Sequence, residues 1–389
     1  MPPIPPTQII LSTSRTHGLV AIPYGEEHRR AARVLEEAGF QRIPGGAFTA
    51  PLADWPATRQ MASALVHRAH EHGATITTSP RPYLADFGEG LAARLPGTWT
   101  AKLEVHYHPV VQEDLIGSLW DSGDLLQALL HDHVPSAVVL KNSVGTELLL
   151  IERPGHSAGY LLGAFATEEY DANWEEPNAP RSIVLPAEPG RAAHVVATTF
   201  LPEYSRCLHN RRLDTVLTAL ERIRSEHETL QAIKESGRYS DGVPLADSRM
   251  IPEMERTFGD YAWLSFRDVL EHGPVLLSRC RPARSLWPQD AAALERLRTA
   301  LADSQEIRAE DKALSGVLFS VEGWKQARSR FGLAALPAME TWLADSKVFE
   351  RQARAAVPGG PMALSAPSPH LLTARPAPPA LSRSSAAHR

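Results

Sequence analysis

The 389 residues are 43% apolar and 22% charged, a globular composition that excludes a wholly disordered chain and leaves room for two or three domains. The net charge of −5 gives no global attraction to nucleic acid or acidic membranes, and no apolar run approaches the length needed to cross a bilayer. Cys207 and Cys280 are the only cysteines and lack metal-ligand spacing, so neither a disulfide framework nor a cysteine metal site is expected, and a reducing cytoplasm fits.

The opening MPPIPPTQ has no basic region followed by an apolar core, so no secretory signal is expected. Residues 1–16 hold four prolines among polar residues and read as a flexible arm. HGLVAI reads as a strand. Glu26 to Ala38 reads as a helix with Ala31, Val34, Leu35 and Ala38 on one face. Gly39 is placed for a left-handed C-cap, with Phe40 folding back against the helix. FQRI and AFTAPL are short strands separated by Gly45-Gly46. Asp54 caps the next helix, Pro56 fits its first turn, and Ala62, Leu65, Val66 and Ala69 form its apolar stripe. ATITT is the last strand. The order β-α-β-β-α-β predicts a ferredoxin-like unit over residues 17–84.

A second small α/β sheet module is expected over 85–187. Leu115, Ile116, Leu119 and Trp120 recur at helical spacing, and Asp124 is placed to cap a short helix carrying Leu125, Leu126, Leu129 and Leu130. Val138 to Leu140 and Leu148 to Ile151 read as a β-hairpin turning at Asn142, Ser143 and Gly145. The unbroken run Leu148 to Ile151 is the pattern of a strand buried on both faces. Acids at Glu168, Glu169, Asp171, Glu175 and Glu176 lack EF-hand spacing and read as a solvated loop. Residues 188–353 read as mainly helical. The stripe Leu213, Val216, Leu220, Ile223, His227 and Leu230 allows either intramolecular burial or a homodimeric coil through 213–230. Residues 354–389 are Pro-, Ala- and Ser-rich without an acid, and a disordered tail is expected there.

LWDSG, SAVVLKNSVGTELLLIERP and GYLLGAFA together resemble uncharacterised proteins of high-GC actinobacteria, Streptomyces-like in composition, over residues 99–210. The resemblance implies a source and a cytoplasmic compartment but no activity and no catalytic residue. Arginine-rich basic charge, with six lysines among 40 basic residues, fits the codon bias of such a source.

Two constellations carry candidate chemistry. Glu104, His106 and His108 alternate along LEVHYHP, which places two imidazoles on one strand face where zinc could bind them. His131 and His133 repeat the spacing, but no third ligand follows, so a solvated sheet face is the expectation and no metal or cofactor is assigned. Gly155-His156-Ser157-Ala158-Gly159 matches G-x-S-x-G and looks like the nucleophile elbow of α/β-hydrolases. Asp241, in a loop like the one that carries the acid of that family, and His272 follow in its Ser, Asp, His order, and His17-Gly18 could stand on the oxyanion side. Against an elbow, Glu152, Arg153 and Pro154 separate the strand from the first glycine. A hairpin turn accounts for the same residues.

In the N-terminal unit the first strand has no aromatic residue and the third offers only Phe48 for stacking bases, which disfavours an RNA-binding sheet. Phosphate-binding glycine loops are absent from the sequence. An α+β protein that binds or regulates without catalysis is the favoured reading. A serine hydrolase using Ser157, Asp241 and His272 is the alternative, and a nucleic-acid-associated regulator stands third.

Overall fold

In the computed structural model, residues 4–50, 54–167, 178–239, 241–245, 247–282, 286–315 and 321–358 are described. The acidic stretch from Glu168 to Glu176 and the tail from 359 onward lie outside them. Gln8–Ser14, within the stretch read as a flexible arm, forms a strand, β1. It pairs antiparallel with β2 (Gly18–Tyr24) and parallel with β5 (Thr75–Pro82). The local pattern hides this strand because its prolines precede it and one partner lies some sixty residues downstream. With β3 (Gln41–Arg42) and β4 (Phe48–Ala50) the sheet runs β3-β4-β2-β1-β5. The expected first and last strands therefore share a sheet but do not touch, because β1 is inserted between them.

Helices α1 (His28–Glu37) and α2 (Trp55–Glu71) cover one face of this sheet. Gly39 adopts φ 90° and the Phe40 N–H donates to Leu35 O, closing α1 as its sequence predicts. Asp54 Oδ1 accepts from Ala57 N at 2.7 Å at the start of α2. Only part of the expected α2 stripe is buried: Leu65 and Ala69 face the sheet, whereas Ala62 and Val66 are exposed. Leu65 and Ala69 lie on one side of that stripe and Ala62 and Val66 on the other, so the helix rests on the sheet along one edge of it.

The second sheet runs β11-β10-β9-β8-β6. Its strands are β6 (Trp99–Val105), β8 (Ser136–Asn142), β9 (Glu147–Glu152), β10 (Tyr160–Phe165) and β11 (Ile183–Leu185), with β7 (Leu119–Trp120) pairing with β10 off this path. Leu148, Leu149, Leu150 and Ile151 are completely buried, as their unbroken run predicts. Leu149 and Ile151 meet α4 (Pro109–Ser118) and α5 (Asp124–His131) on one face. Leu148 and Leu150 join Val20 and Ile22 of β2, and Leu84, Phe87 and Leu91 of α3 (Leu84–Ala92), on the other. The two sheets thus share one core, with α3 packed into it.

Leu119 and Trp120 leave the helix that their spacing suggested and pair with Phe165 and Ala164. Asp124 stands inside the first turn of α5, not at its cap. Completely buried Asp121 instead accepts from Leu126 N at 3.0 Å and from Ser182 N at 2.6 Å, tying α5 to the approach to β11. A Cβ on Gly123 would stand 2.5 Å from Ser182 Oγ, so the WDSG turn requires glycine.

From Pro189 the chain runs through α6 (Pro189–Val195), a π-helical turn (Val196–Phe200) and α7 (Leu201–Ser236). Val196, Phe200 and Tyr204 belong to the sheet core, while Leu213, Val216, Leu220, Ile223 and Leu230 belong to a separate helical core. Residues of α8 (Ile251–Arg279), α9 (Ala291–Asp303) and α11 (Val321–Ala355) complete the helical core, and α10 (Gln305–Ser315) borders it. The α7 stripe is therefore covered by its own chain, which removes it as the seam of a homodimer. His227 lies at the margin, 5.8 Å from the Phe258 ring. The expected tail begins too early at 354: α11 continues to Ala355, and Ala353 O pairs with His209 Nε2 at 2.9 Å.

Candidate functional site

The structure does not assemble a hydrolase site from the predicted triad. Gly155 to Gly159 joins two antiparallel strands, with Tyr160 opposite Glu152, so the segment is a hairpin turn and not a strand-to-helix elbow. Gly155 and Gly159 have φ of 69° and 84°, which supply the left-handed backbone of the turn. Ser157 is exposed on that turn. Asp241 is exposed on a tight turn after α7, where its Oδ1 accepts from Val243 N at 3.0 Å. His272 is buried in the C-terminal third of α8, a helix packed against α7, α9 and α11. His17 is exposed in the β1–β2 turn, and its backbone O accepts from Thr49 Oγ1.

The histidine face of LEVHYHP also dissolves. β6 ends at Val105, and His106 turns inward to 3% exposure, not outward to solvent. Its Nδ1 pairs with Val134 O at 3.0 Å, and burial lowers its pKa, which keeps the ring neutral. His108 is the N-cap of α4, where Nδ1 accepts from Val110 N at 3.2 Å. Among the described residues no group of three or more His, Cys, Asp or Glu is placed to hold a metal ion. Cys207 and Cys280 are buried, and burial pushes their thiols up to about 12 and about 11, so both are poor nucleophiles.

A different group of residues meets at the same hairpin. Between the paired residues Leu11–Thr78 and Thr13–Pro82, Ser12 faces the three-residue stretch Ser79, Pro80 and Arg81 on β5. This bulge lies on an edge strand, where prolines cost no ladder bond to a neighbour, and a bulge redirects side chains. Arg81 lies at 8% exposure, with its side chain against the second sheet. Its guanidinium donates to Glu152 Oε2 at 2.8 Å, to Arg153 O at 2.7 Å and to His156 O. Arg81 is thus a clamp that fastens the β9–β10 turn to the first sheet.

The clamp is not saturated. Arg81 Nε is buried and has no hydrogen-bond partner in the structure. An unmade bond of this kind costs about 1–3 kcal/mol, more when the donor is charged. The side chain lines a cavity of about 140 Å³ between the sheets. A water needs roughly 10–15 Å³ on that scale, so a molecule of several heavy atoms fits. Ile10, Ile22, Leu84 and Val134 supply apolar wall, and Ser12, Ser79 and Ser136 supply hydroxyl-bearing positions. His133, Arg153 and His156 lie at the same opening. Burial raises the Glu152 carboxyl above its usual range, while the neighbouring Arg81 pulls the other way. Tyr160, opposite Glu152, has its hydroxyl pushed up to about 12 by burial and then by that carboxylate.

Nothing in the sequence pattern singled out Arg81. The one local signal is its position between two prolines in SPRP, which marks an edge strand with irregular pairing. Its partner Glu152 is 71 residues away. A larger groove of about 730 Å³ lies along α9 and α11, but its Arg296 is engaged by Asp345 in two bonds of 2.9 and 2.7 Å. No helix among the described residues is long and apolar enough to cross a membrane. Compared with protein-family models, curated proteins and solved structures, the chain gives no significant match.

Proposed function

We propose that this chain is a non-catalytic binding or regulatory protein that takes a small ligand in the cleft between its two sheets. One observation carries the reading: Arg81, nine-tenths buried on the cavity wall, retains an Nε–H without an acceptor. Buried polar groups are ordinarily satisfied, so an unsatisfied one on a cavity-lining residue is where a ligand would complete the bonding. The exposed turn position of Ser157 supports binding over acyl transfer. We read the N-terminal sheet as a ferredoxin-like unit opened by the insertion of β1, with the bulge beside that insertion building the cleft. A cytoplasmic setting belongs to the same proposal.

The test uses a phenylalanine plug. Ser12 lines the cavity, and Ser12→Phe fills it without removing the Arg81 clamp. Ligand-observed NMR with a mixed set of small polar fragments is run on wild type and on the variant, each shown to be folded by its amide spectrum. Fragments that bind the wild type and are lost from Ser12→Phe support the cleft. Equal binding to both proteins, or no binding to either, contradicts it.

A further inference from the structure

We infer that the ligand is a small monocarboxylate with a short alkyl body; this rests on the cleft reading above. The formal charges on the cavity wall, those of Arg81, Glu152 and Arg153, decide the class. Arg81 Nε can only donate, so its partner must present an acceptor. Glu152 is the one acid of the wall, and its charge is matched by Arg81 at 2.8 Å. Arg153 also lines the cavity, which leaves one positive charge in excess. A single negative charge on the ligand balances it, in a setting where removal from water strengthens the attraction. A carboxylate supplies both the acceptor and the charge, and charge-assisted bonds to a guanidinium are the stronger kind.

The remainder of the wall sets the body of the ligand. Ile10, Ile22, Leu84 and Val134 offer no donor, so a carboxylate with a short alkyl chain suits them better than a fully polar anion. Inorganic phosphate needs donors on every side and meets aliphatic carbon on several. It would also crowd a second negative charge against Glu152. The volume of about 140 Å³ admits a chain of a few carbons.

Butyrate, butyramide and inorganic phosphate are the probes, titrated into the full chain at constant ionic strength and followed by amide chemical shifts. Butyrate and its amide share shape and differ in charge. Butyrate is expected to bind about tenfold more tightly than butyramide or phosphate, to weaken several-fold in Arg153→Gln, and to be lost in Ser12→Phe. The Arg153 carbonyl, not its side chain, receives the Arg81 bond, so Arg153→Gln leaves the clamp in place. Butyramide binding as tightly as butyrate overturns the carboxylate inference and leaves the cleft standing. Tighter phosphate binding overturns the alkyl part, and butyrate binding unchanged in Ser12→Phe places it elsewhere and overturns the site. Butyrate failing to bind while other fragments occupy the cleft overturns the inference alone.

Discussion

Single residues tie distant segments of this chain together, and their chemistry sets the expected effects of substitution. Arg81→Met keeps the bulk of the side chain but leaves Glu152 without its cation and two turn carbonyls without their donor. A loss of about 3–5 kcal/mol in unfolding free energy is expected from urea denaturation. Glu152→Gln leaves both carbonyl bonds intact and is expected to cost less, about 1–2 kcal/mol. Asp121 allows a test by pH. Burial raises its pKa in the folded chain against the pull of its backbone amide bonds. The folded state therefore holds this proton more tightly than the unfolded state. Its contribution is full below about pH 4 and is lost as pH rises through the folded value. The stability of wild type minus that of Asp121→Asn should accordingly fall on going from acid to neutral pH, and a flat difference would refute the assignment. None of these roles was legible locally. Ser157 and His106 stood in recognisable patterns, yet the pairing of β9 with β10 and the end of β6 at Val105 decided what each does. Arg81 stood in no pattern.

Among the elements, those with strong local signals were the legible ones. The closure of α1 at Gly39, the cap of α2 at Asp54, the hairpin turning at Asn142 and the helical stripe of α7 all follow from nearby residues. β1 did not, because a short apolar run beside prolines becomes a central strand only when β2 and β5 pair with it. The crossing of α8 and α11 was equally hidden. A Cβ on Gly332 would stand 1.9 Å from Gly259 O, so the two helices meet backbone to backbone. Gly332→Ala must push them apart and is expected to cost about 1–3 kcal/mol or more. Gly117, in α4, has open space around its Cβ position and an ordinary φ. Gly117→Ala is expected to stabilise by up to about 1 kcal/mol. Thermal melts of the two variants should therefore move in opposite directions, and a loss of stability at both positions would contradict this packing.

At the scale of the whole molecule, the sequence divides into an N-terminal sheet, a second sheet module and a helical half, but the core does not follow those boundaries. Val20, Ile22, Tyr83 and Leu84 share a core with Val138, Leu148 and Leu162 of the second sheet. The continuous helical run from Pro189 to Ser236 then carries the chain out of that core and into the helical one. A fragment ending at residue 84 would expose one whole apolar face of its sheet. It is expected to lack cooperative thermal unfolding and dispersed amide signals; a well-folded fragment would show that the two sheets are independent. The shared core also creates the cleft, since Arg81 reaches across from one sheet to the turn of the other. Its Nε–H is the group on which the functional account depends. The most direct measurement is the Nε–H resonance of Arg81 in protein carrying isotopically labelled arginine, titrated with butyrate. The expected result is a resonance slow to exchange with solvent that shifts saturably with butyrate in wild type and stays fixed in Ser12→Phe. A resonance that butyrate leaves unmoved at saturation would contradict it.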